Sequence, residues 1–410
     1  MNEKLVIKTI GKLNYPESQI TRLVAVLSFD GNEKECWFDY PSEYGDYICD
    51  ERIDAFVTSL IPFAMRKGFD IESAVPISER LCYQLKNYYI PILSKYQKTF
   101  HKIELLCPYT SDNLNTGNAV GTGLSCGIDS FYTVLKHINN NEKDFNLTHL
   151  VTMNVGSFGF QGGDFSYNWF RKEIIKAEKV ASELELPLIV INSNLMEIYK
   201  ENHAYSGTFR MAGAILGIQK LFSRYYISAG FDIKDFDITS EENDDYDLFN
   251  LLVGSNESTT FYSTGMEATR FERTRFITQY PVTYDNLTVC IFGNDNCGKC
   301  EKCVRTLSTL YVLGKLQDYG NSFDINQFEN HKIMILSKAR YYGIGYMKPL
   351  YNEIYRALKK NNLLMYFLYS FIAMVIIYPA EKSKKIIKFL LPEKVKILLK
   401  NAFRKVGGRK

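Results

Sequence analysis

The chain predicts an α/β fold, a doubly wound parallel sheet, with a small α+β domain ahead of it at residues 1–116 and a helical, basic C-terminal region at 326–410. Three observations carry this. From Ala119 onward, strand-like apolar runs alternate with helix-like runs, and βαβα order builds parallel sheets with helices on both faces. Where the first such strand meets the first such helix lies a run of small residues, GTGLSCGIDS, at 121–130. The first 116 residues instead read as strands followed by helices, the pattern of an α+β unit.

Residues 4–10 and 22–28 alternate as strands do, and Asp30-Gly31-Asn32 supplies a hairpin turn into Glu35-Cys36-Trp37-Phe38. Residues 51–66 and 78–90 follow as helices, and the polar stretch Thr110–Asn118 marks a boundary. This part carries no recognisable chemistry, so it reads as a scaffold or a lid. The central domain, 117–325, then runs as strand 119–124, helix 130–138, strand 147–155, helix 167–184, strand 188–191, helix 209–222 and strand 225–229. Ligands of such sheets gather at the carboxyl ends of the strands. Asn154-Val155-Gly156-Ser157, Asn192-Ser193-Asn194 and Gly230-Phe231-Asp232 leave three of those ends, so they are expected to face one crevice with the small-residue loop.

That loop, Ser125-Cys126-Gly127-Ile128-Asp129-Ser130, suits phosphate. A strand-to-helix turn leaves the first helical N–H groups without intrahelical partners and turns the positive end of the helix dipole outward. Gly127 allows close backbone approach, while Ser125 and Ser130 add hydroxyl donors. A Walker A loop needs a following Lys-Ser or Lys-Thr, and a dinucleotide loop needs glycine at 126; neither is present. A plain glycine turn at a strand end is the competing reading. Asp129 is the better candidate for organising a metal with the phosphates than Glu241-Glu242-Asn243-Asp244-Asp245, which reads as a solvated loop. Arg270, Arg273 and Arg275 suit carboxylate or phosphate capture, against surface pairing with Glu267 and Glu272. Cys126, at a helix start, is either a filler in place of glycine or an activated thiol.

Further on, Cys290, Cys297, Cys300 and Cys303 form C-x6-C-x2-C-x2-C. Four thiolates suit a tetrahedral ion, zinc first, with Lys299, Lys302 and Arg305 offsetting part of the charge. An iron–sulfur cluster lacks its usual further cysteine or proline, and disulfides lack a secretory signal. A four-cysteine site has no open coordination position, which makes it a structural brace.

Composition bounds the rest. With 46% hydrophobic and 23% charged residues in 410, the chain is an ordinary globular protein with room for two or three domains. Five histidines leave little scope for histidine-based catalysis. The opening MNEKLVIKTIG lacks the basic-then-apolar order of a signal peptide, so a cytoplasmic location is expected. The net charge of +3 conceals a strongly basic end: residues 381–410 hold eleven Lys or Arg against two Glu, which leaves the body at 3 minus 9, or −6. Just before it, Leu363–Tyr378 contains only Ser370 as a conventional polar residue, and Pro392 splits the basic end into two short helices. Three readings stand: a core helix with a solvated basic face, an anchor peripheral to the inner face of the membrane, or a tail that docks on a partner. No nucleic-acid module accompanies the charge.

The loop resembles the SGGxDS motif of the PP-loop ATP pyrophosphatases, with Cys126 where the second residue is normally glycine. Together with the run NCGKCEKCVRTL at 296–307, it resembles the 7-cyano-7-deazaguanine synthase (QueC-like) branch of that superfamily, over residues 117–315. Where that branch carries Pro-x-Arg-Asn, this chain has Ser206-Gly207-Thr208-Phe209-Arg210-Met211, keeping the arginine alone. Similar knuckles occur in QueC-like anti-phage proteins and in PP-loop amidotransferases and epimerases of cell-envelope biosynthesis. The resemblance implies a PP-loop, Rossmann-like (HUP-like) fold and an AMP- and pyrophosphate-forming ligase that uses ATP, Mg²⁺ and Zn²⁺. It implies nucleotide contacts at Ser125, Cys126, Gly127, Asp129, Ser130, Asn154 and Ser157, and catalytic roles for Asp129, Ser130 and Arg210. A small-molecule or protein carboxylate would be adenylated and passed to an amine or ammonia; a homo-oligomer is compatible with the family.

Overall fold

Strands β1 (Lys4–Tyr15), β2 (Ile20–Phe29) and β3 (Asn32–Pro41) open the chain as an antiparallel meander. Asp30 and Gly31 both take positive φ, 51° and 70°, so the two-residue turn follows the strand twist as the Asp-Gly pair predicts. β2 alternates strictly, burying Leu23, Ala25, Leu27 and Phe29 on one face. The structure, a computed structural model, describes residues 3–139, 141–159, 162–290, 293, 295–343 and 348–383.

Helix α1 (Asp54–Lys67) leads to β4 (Asp70–Ser73), β5 (Ile77–Ser78), α2 (Glu79–Gln84), α3 (Ile90–Tyr96), β6 (Leu105–Leu106) and β7 (Tyr109–Thr110). The alternating part comes next: β8 (Ala119–Gly123), α4 (Ile128–His137), β9 (His149–Asn154), α5 (Gly163–Glu183), β10 (Leu188–Ser193), α6 (Leu195–Tyr199), α7 (Gly207–Leu216), β11 (Phe222–Ser228), α8 (Asp247–Gly254), β12 (Thr260–Thr264) and α9 (Arg270–Ile277). The sequence pattern carries a helix through to Phe222. That helix stops at Leu216, because Phe222 pairs with Ala119 as the first residue of β11. β12, α8 and α9 are additions that the sequence pattern did not predict.

Ten strands join one sheet in the order β12-β11-β8-β9-β10-β3-β2-β1-β4-β6, while β5 and β7 pair separately. The five strands β8 to β12 are mutually parallel. The chain enters at β8, steps outward to β9 and β10, then returns to β11 and β12 on the other side. With right-handed crossovers, α4 and α5 cover one face and α7 and α8 the other. This is a mixed α/β protein with a large, mostly parallel sheet, compatible with a Rossmann-like fold, and its strand order reverses between β8 and β11.

The division into domains differs from the expected 1–116, 117–325 and 326–410. One compact unit comprises Met1–Val289 with Gly293–Asp295, and a second comprises Cys290–Phe292 with Asn296–Lys410. No boundary falls at 116/117, because β3 pairs antiparallel with β10 through Asn192↔Asp39 and Ser193↔Phe38 and continues the sheet. An unpaired β10 would have left a row of open backbone groups, and the meander covers it. Helices α1 and α7 cross so closely that a Cβ at Gly213 would lie 1.9 Å from Ser59 Oγ and 2.5 Å from the Ala55 carbonyl oxygen. The Tyr40 hydroxyl of β3 donates to the Ala214 carbonyl of α7 at 2.7 Å.

The second unit is helical: α10 (Glu301–Val312), α11 (Ile325–Tyr342), α12 (Lys348–Asn361) and α13 (Leu363–Ile372), the last running on through a π-turn to Ser383. Within it the four-cysteine group lies at the start of α10 rather than in the sheet-bearing unit. The basic tail from 384 onward, with its expected break at Pro392, lies outside the described residues.

Candidate functional site

Between β8 and α4 the chain turns at the small-residue loop, held by three hydrogen bonds. The Leu124 N–H donates to the Val151 carbonyl at 2.7 Å, the Thr288 N–H to the Cys126 carbonyl at 2.8 Å, and the Ser125 N–H to Ser130 Oγ at 3.2 Å. α4 begins at Ile128 behind Gly127, which has no side chain with which to cap the first turn. Cys126 sits at φ 53°, in the left-handed region. A Cβ there costs about 1–2 kcal/mol, which explains why glycine suits this position and why cysteine strains it. Its thiol is buried, and burial, with Glu173 adding to it, pushes the pKa up to about 12. The thiol is therefore a neutral filler at working pH, and the activated-thiol alternative loses its basis.

Asp129, on the first turn of α4, meets Arg270 and Arg273 from α9. Arg273 is 1% exposed and acts as a strut. Its guanidinium donates to Asp129 Oδ1 at 2.9 Å, to the carbonyls of Ala229 (2.6 Å) and Phe231 (3.0 Å) past β11, and to those of Gly265 (3.0 Å) and Ala268 (3.1 Å) past β12. Arg270 bonds the other carboxylate oxygen, Oδ2. The two arginines and one carboxylate carry a formal +1, at a helix N-terminus and beside the strand-order reversal of the sheet. A Thr269–Glu272 capping box fixes the start of α9.

The surface-pairing alternative for this arginine cluster fails for Arg270 and Arg273. Glu267 instead binds Lys136 and the Tyr132 hydroxyl, whose hydrogen bonds outweigh partial burial and bring its carboxyl down to about 2. Arg275 lies over the Phe271 ring at 5.1 Å. The strut role of Arg273 was not read from the sequence. Its signal was present: arginines at i and i+3 of a helix share a face.

The remaining predicted residues gather past β9 and β10. Asn154 Nδ2 donates to Asn192 Oδ1 at 2.8 Å and its carbonyl accepts from Ser193 Oγ at 2.7 Å, so Asn154 braces two strand ends. Ser157 Oγ lies 3.4 Å from His203 Nε2. Arg210 is fully buried; its guanidinium donates to Met196 Sδ and to the Asn202 and His203 carbonyls, stacks on Tyr199, and leaves Nε without a partner. Gly156, at φ 125°, makes room for it, since a Cβ there would lie 2.3 Å from Nη1. Burial lowers the Arg210 pKa to about 10, and burial together with Arg210 lowers that of His203 to about 3. The chain thus forms two clusters at the carboxyl ends of its parallel strands. Ser125, Cys126, Gly127, Asp129 and Ser130 belong to the one with Arg270 and Arg273; Asn154, Ser157 and Arg210 belong to the other.

In the second unit the sulfurs of Cys290, Cys297, Cys300 and Cys303 all lie within 4.8 Å of one another, a group that could hold a metal and is compatible with zinc. Backbone donors turn toward them: the Lys299 and Cys300 N–H groups point at the Cys297 sulfur (3.4 and 3.3 Å) and the Cys303 N–H at that of Cys300 (3.5 Å). Cys300 is also the N-cap of α10. The hydrogen bond that the Cys303 thiol shares with Cys300, together with burial, raises it far above its ordinary value, so a cation bound there would have to displace its proton. Arg305, expected to offset thiolate charge, instead pairs with Glu301 at 3.1 Å.

Comparison with family models, with curated proteins and with solved structures finds no match.

Proposed function

We propose that the sheet-bearing unit binds ATP on the Ser125–Ser130 loop and transfers AMP to a substrate carboxylate, in the manner of the QueC-like PP-loop enzymes it resembles. The observation that carries this reading is the Asp129–Arg270–Arg273 triad, with its formal +1 beside an α4 start that Gly127 cannot cap and at the reversal of strand order. That arrangement favours a polyanion over a cation.

In this reading the N–H groups opening α4 and the hydroxyls of Ser125 and Ser130 receive the β- and γ-phosphates, Arg270 adds a donor beside them, and Arg273 holds the loops past β11 and β12 in place. A carboxylate oxygen of the acceptor attacks the α-phosphorus; the bond to the bridging oxygen breaks and pyrophosphate leaves with its electron pair. An amine or ammonia then displaces AMP from the acyl-adenylate. Catalysis comes from positioning and from charge set against the leaving pyrophosphate. Asp129, engaged by two guanidinium groups, does not fit a magnesium ligand, and no step is assigned to that ion. Arg210, fully buried against Met196 and Tyr199, would act by holding the segments that follow β9 and β10 rather than by touching the acceptor, and Asn154 and Ser157 sit beside it as the nucleoside-side candidates. The four cysteines would hold zinc as a brace.

The test is ATP binding by calorimetry, followed by AMP and pyrophosphate release across a panel of carboxylates. Both products, lost in Arg270→Met, are expected. ATP bound with no AMP formed would replace the enzyme by a QueC-like nucleotide-binding subunit of an anti-phage defence system. No ATP binding would overturn the reading altogether.

A further inference from the structure

The helix from Leu363 to Ser383 has Ser370 as its one conventional polar residue up to Tyr378, yet only 17% of its most apolar window is buried. Tyr369, Ala373 and Ile377, spaced i, i+4, i+8, form the buried stripe, and Ser370 accepts a hydrogen bond from Arg340 of α11. Much of the surface around that stripe is open. Leu364 is 78% exposed, Phe367 57%, Phe371 61%, Met374 52% and Val375 55%. A helix of a water-facing surface carries polar residues on its outer side, and an apolar face of this size marks an interaction site.

Charge identifies what covers it. Lys359 and Lys360 are exposed at one end of the helix and Lys382 at the other. The chain beyond it adds ten more basic residues from Lys384 to Lys410 against one glutamate. A second copy of the chain would bring the same excess of positive charge against this one, and the two would repel. An anionic lipid surface complements it. Basic residues at both ends suit a helix lying in the plane of a single leaflet, where both lysine groups reach the phosphates. Beside the helix, a cavity of about 630 Å³ is lined by Ile333, Met334, Leu358, Met365 and Tyr369 and also by polar groups, among them Glu329 and Lys332.

We infer that α13 and its continuation lie in the headgroup region of an anionic membrane, with Phe367 and Phe371 inserted and the flanking lysines on the phosphates, making this a peripheral membrane protein. The inference is independent of the ATP reading. The test is flotation of the full-length chain with vesicles of phosphatidylcholine alone and with phosphatidylglycerol added. The wild type is expected to float with the anionic vesicles and to be released by high salt. Phe367→Glu/Phe371→Glu, altering only exposed side chains, should lower the vesicle-bound fraction by about tenfold or more. Recovery of wild type and variant alike in the soluble fraction, or equal flotation of both, overturns the inference. So does a wild-type dimer, seen by sedimentation without lipid, that the variant breaks, because it assigns the face to a second copy.

Discussion

Arg273 and Arg270 reach the same carboxylate from one helix, and their consequences should separate. Replacing Arg273 by Met keeps the apolar stem but removes the guanidinium from Asp129 Oδ1 and from four carbonyl oxygens, those of Ala229, Phe231, Gly265 and Ala268. Breaking a buried ion pair by removing one partner costs about 3–5 kcal/mol, and the stranded carbonyls keep the figure in that range although Asp129 retains Arg270. Arg270→Met removes a group whose loss leaves Asp129 balanced by Arg273, at roughly 1–2 kcal/mol. In ATP binding the order reverses: loss of one charge-assisted donor of about 1.5–3 kcal/mol weakens Kd by about 10- to 100-fold in Arg270→Met. Urea unfolding followed by tryptophan fluorescence reads the right unit, since Trp37 and Trp169 both lie in it. An Arg273→Met midpoint equal to that of wild type, or a larger stability loss in Arg270→Met, would refute the strut.

Four other outcomes are expected. Cys126→Gly relieves the positive φ, so turnover should be kept or raised, and peptide-level mass spectrometry after iodoacetamide at neutral pH should find Cys126 unmodified in the folded wild type. Gly213→Ala drives a Cβ into the Ala55 carbonyl and should cost about 1–3 kcal/mol in the same urea experiment, far more than the mean gain of alanine in a helix. His137, stacked on Tyr226 and 2.9 Å from Thr264 Oγ1, has its pKa lowered by burial and by Lys136 to about 4. The unfolded chain therefore takes up a proton first, and stability present above the ordinary histidine value of 6.5 is lost as pH falls toward about 4; His137→Phe should flatten that part of a pH series of melting temperatures. Cys300→Ser removes a sulfur while its hydroxyl can still cap α10, so zinc measured by mass spectrometry should fall from one per chain to near none with the helix kept.

Local signals were read well. The Asp-Gly hairpin, the alternation in β2 and the strand–loop–helix step at 119–137 depend on neighbours in the chain, and the structure forms them within a few residues of the expected bounds. The four-cysteine spacing likewise brought its sulfurs together, because three of the four sit within one tight turn. Errors came where partners are distant. Helix 209–222 was overrun because nothing near Phe222 tells that Ala119 will pair with it. The first 116 residues looked separate, since the β3–β10 pairing joins positions some 150 residues apart. Asp129 was assigned to a cation because its arginine partners stand more than 140 positions away.

From the residues alone one could know which of many short pieces would become strands, turns and helices, and that a small-residue strand-to-helix loop and a sulfur cluster were present. Hydrogen bonding, capping and φ preference act over a few positions, and those are written in the order of the chain. Folding settled how the pieces combine: one sheet of ten strands instead of two modules, a buried guanidinium gripping two loops and a carboxylate, and an apolar helix left facing outward. Such outcomes depend on burial and on partners brought from afar, and a linear order of residues does not record which of them will meet.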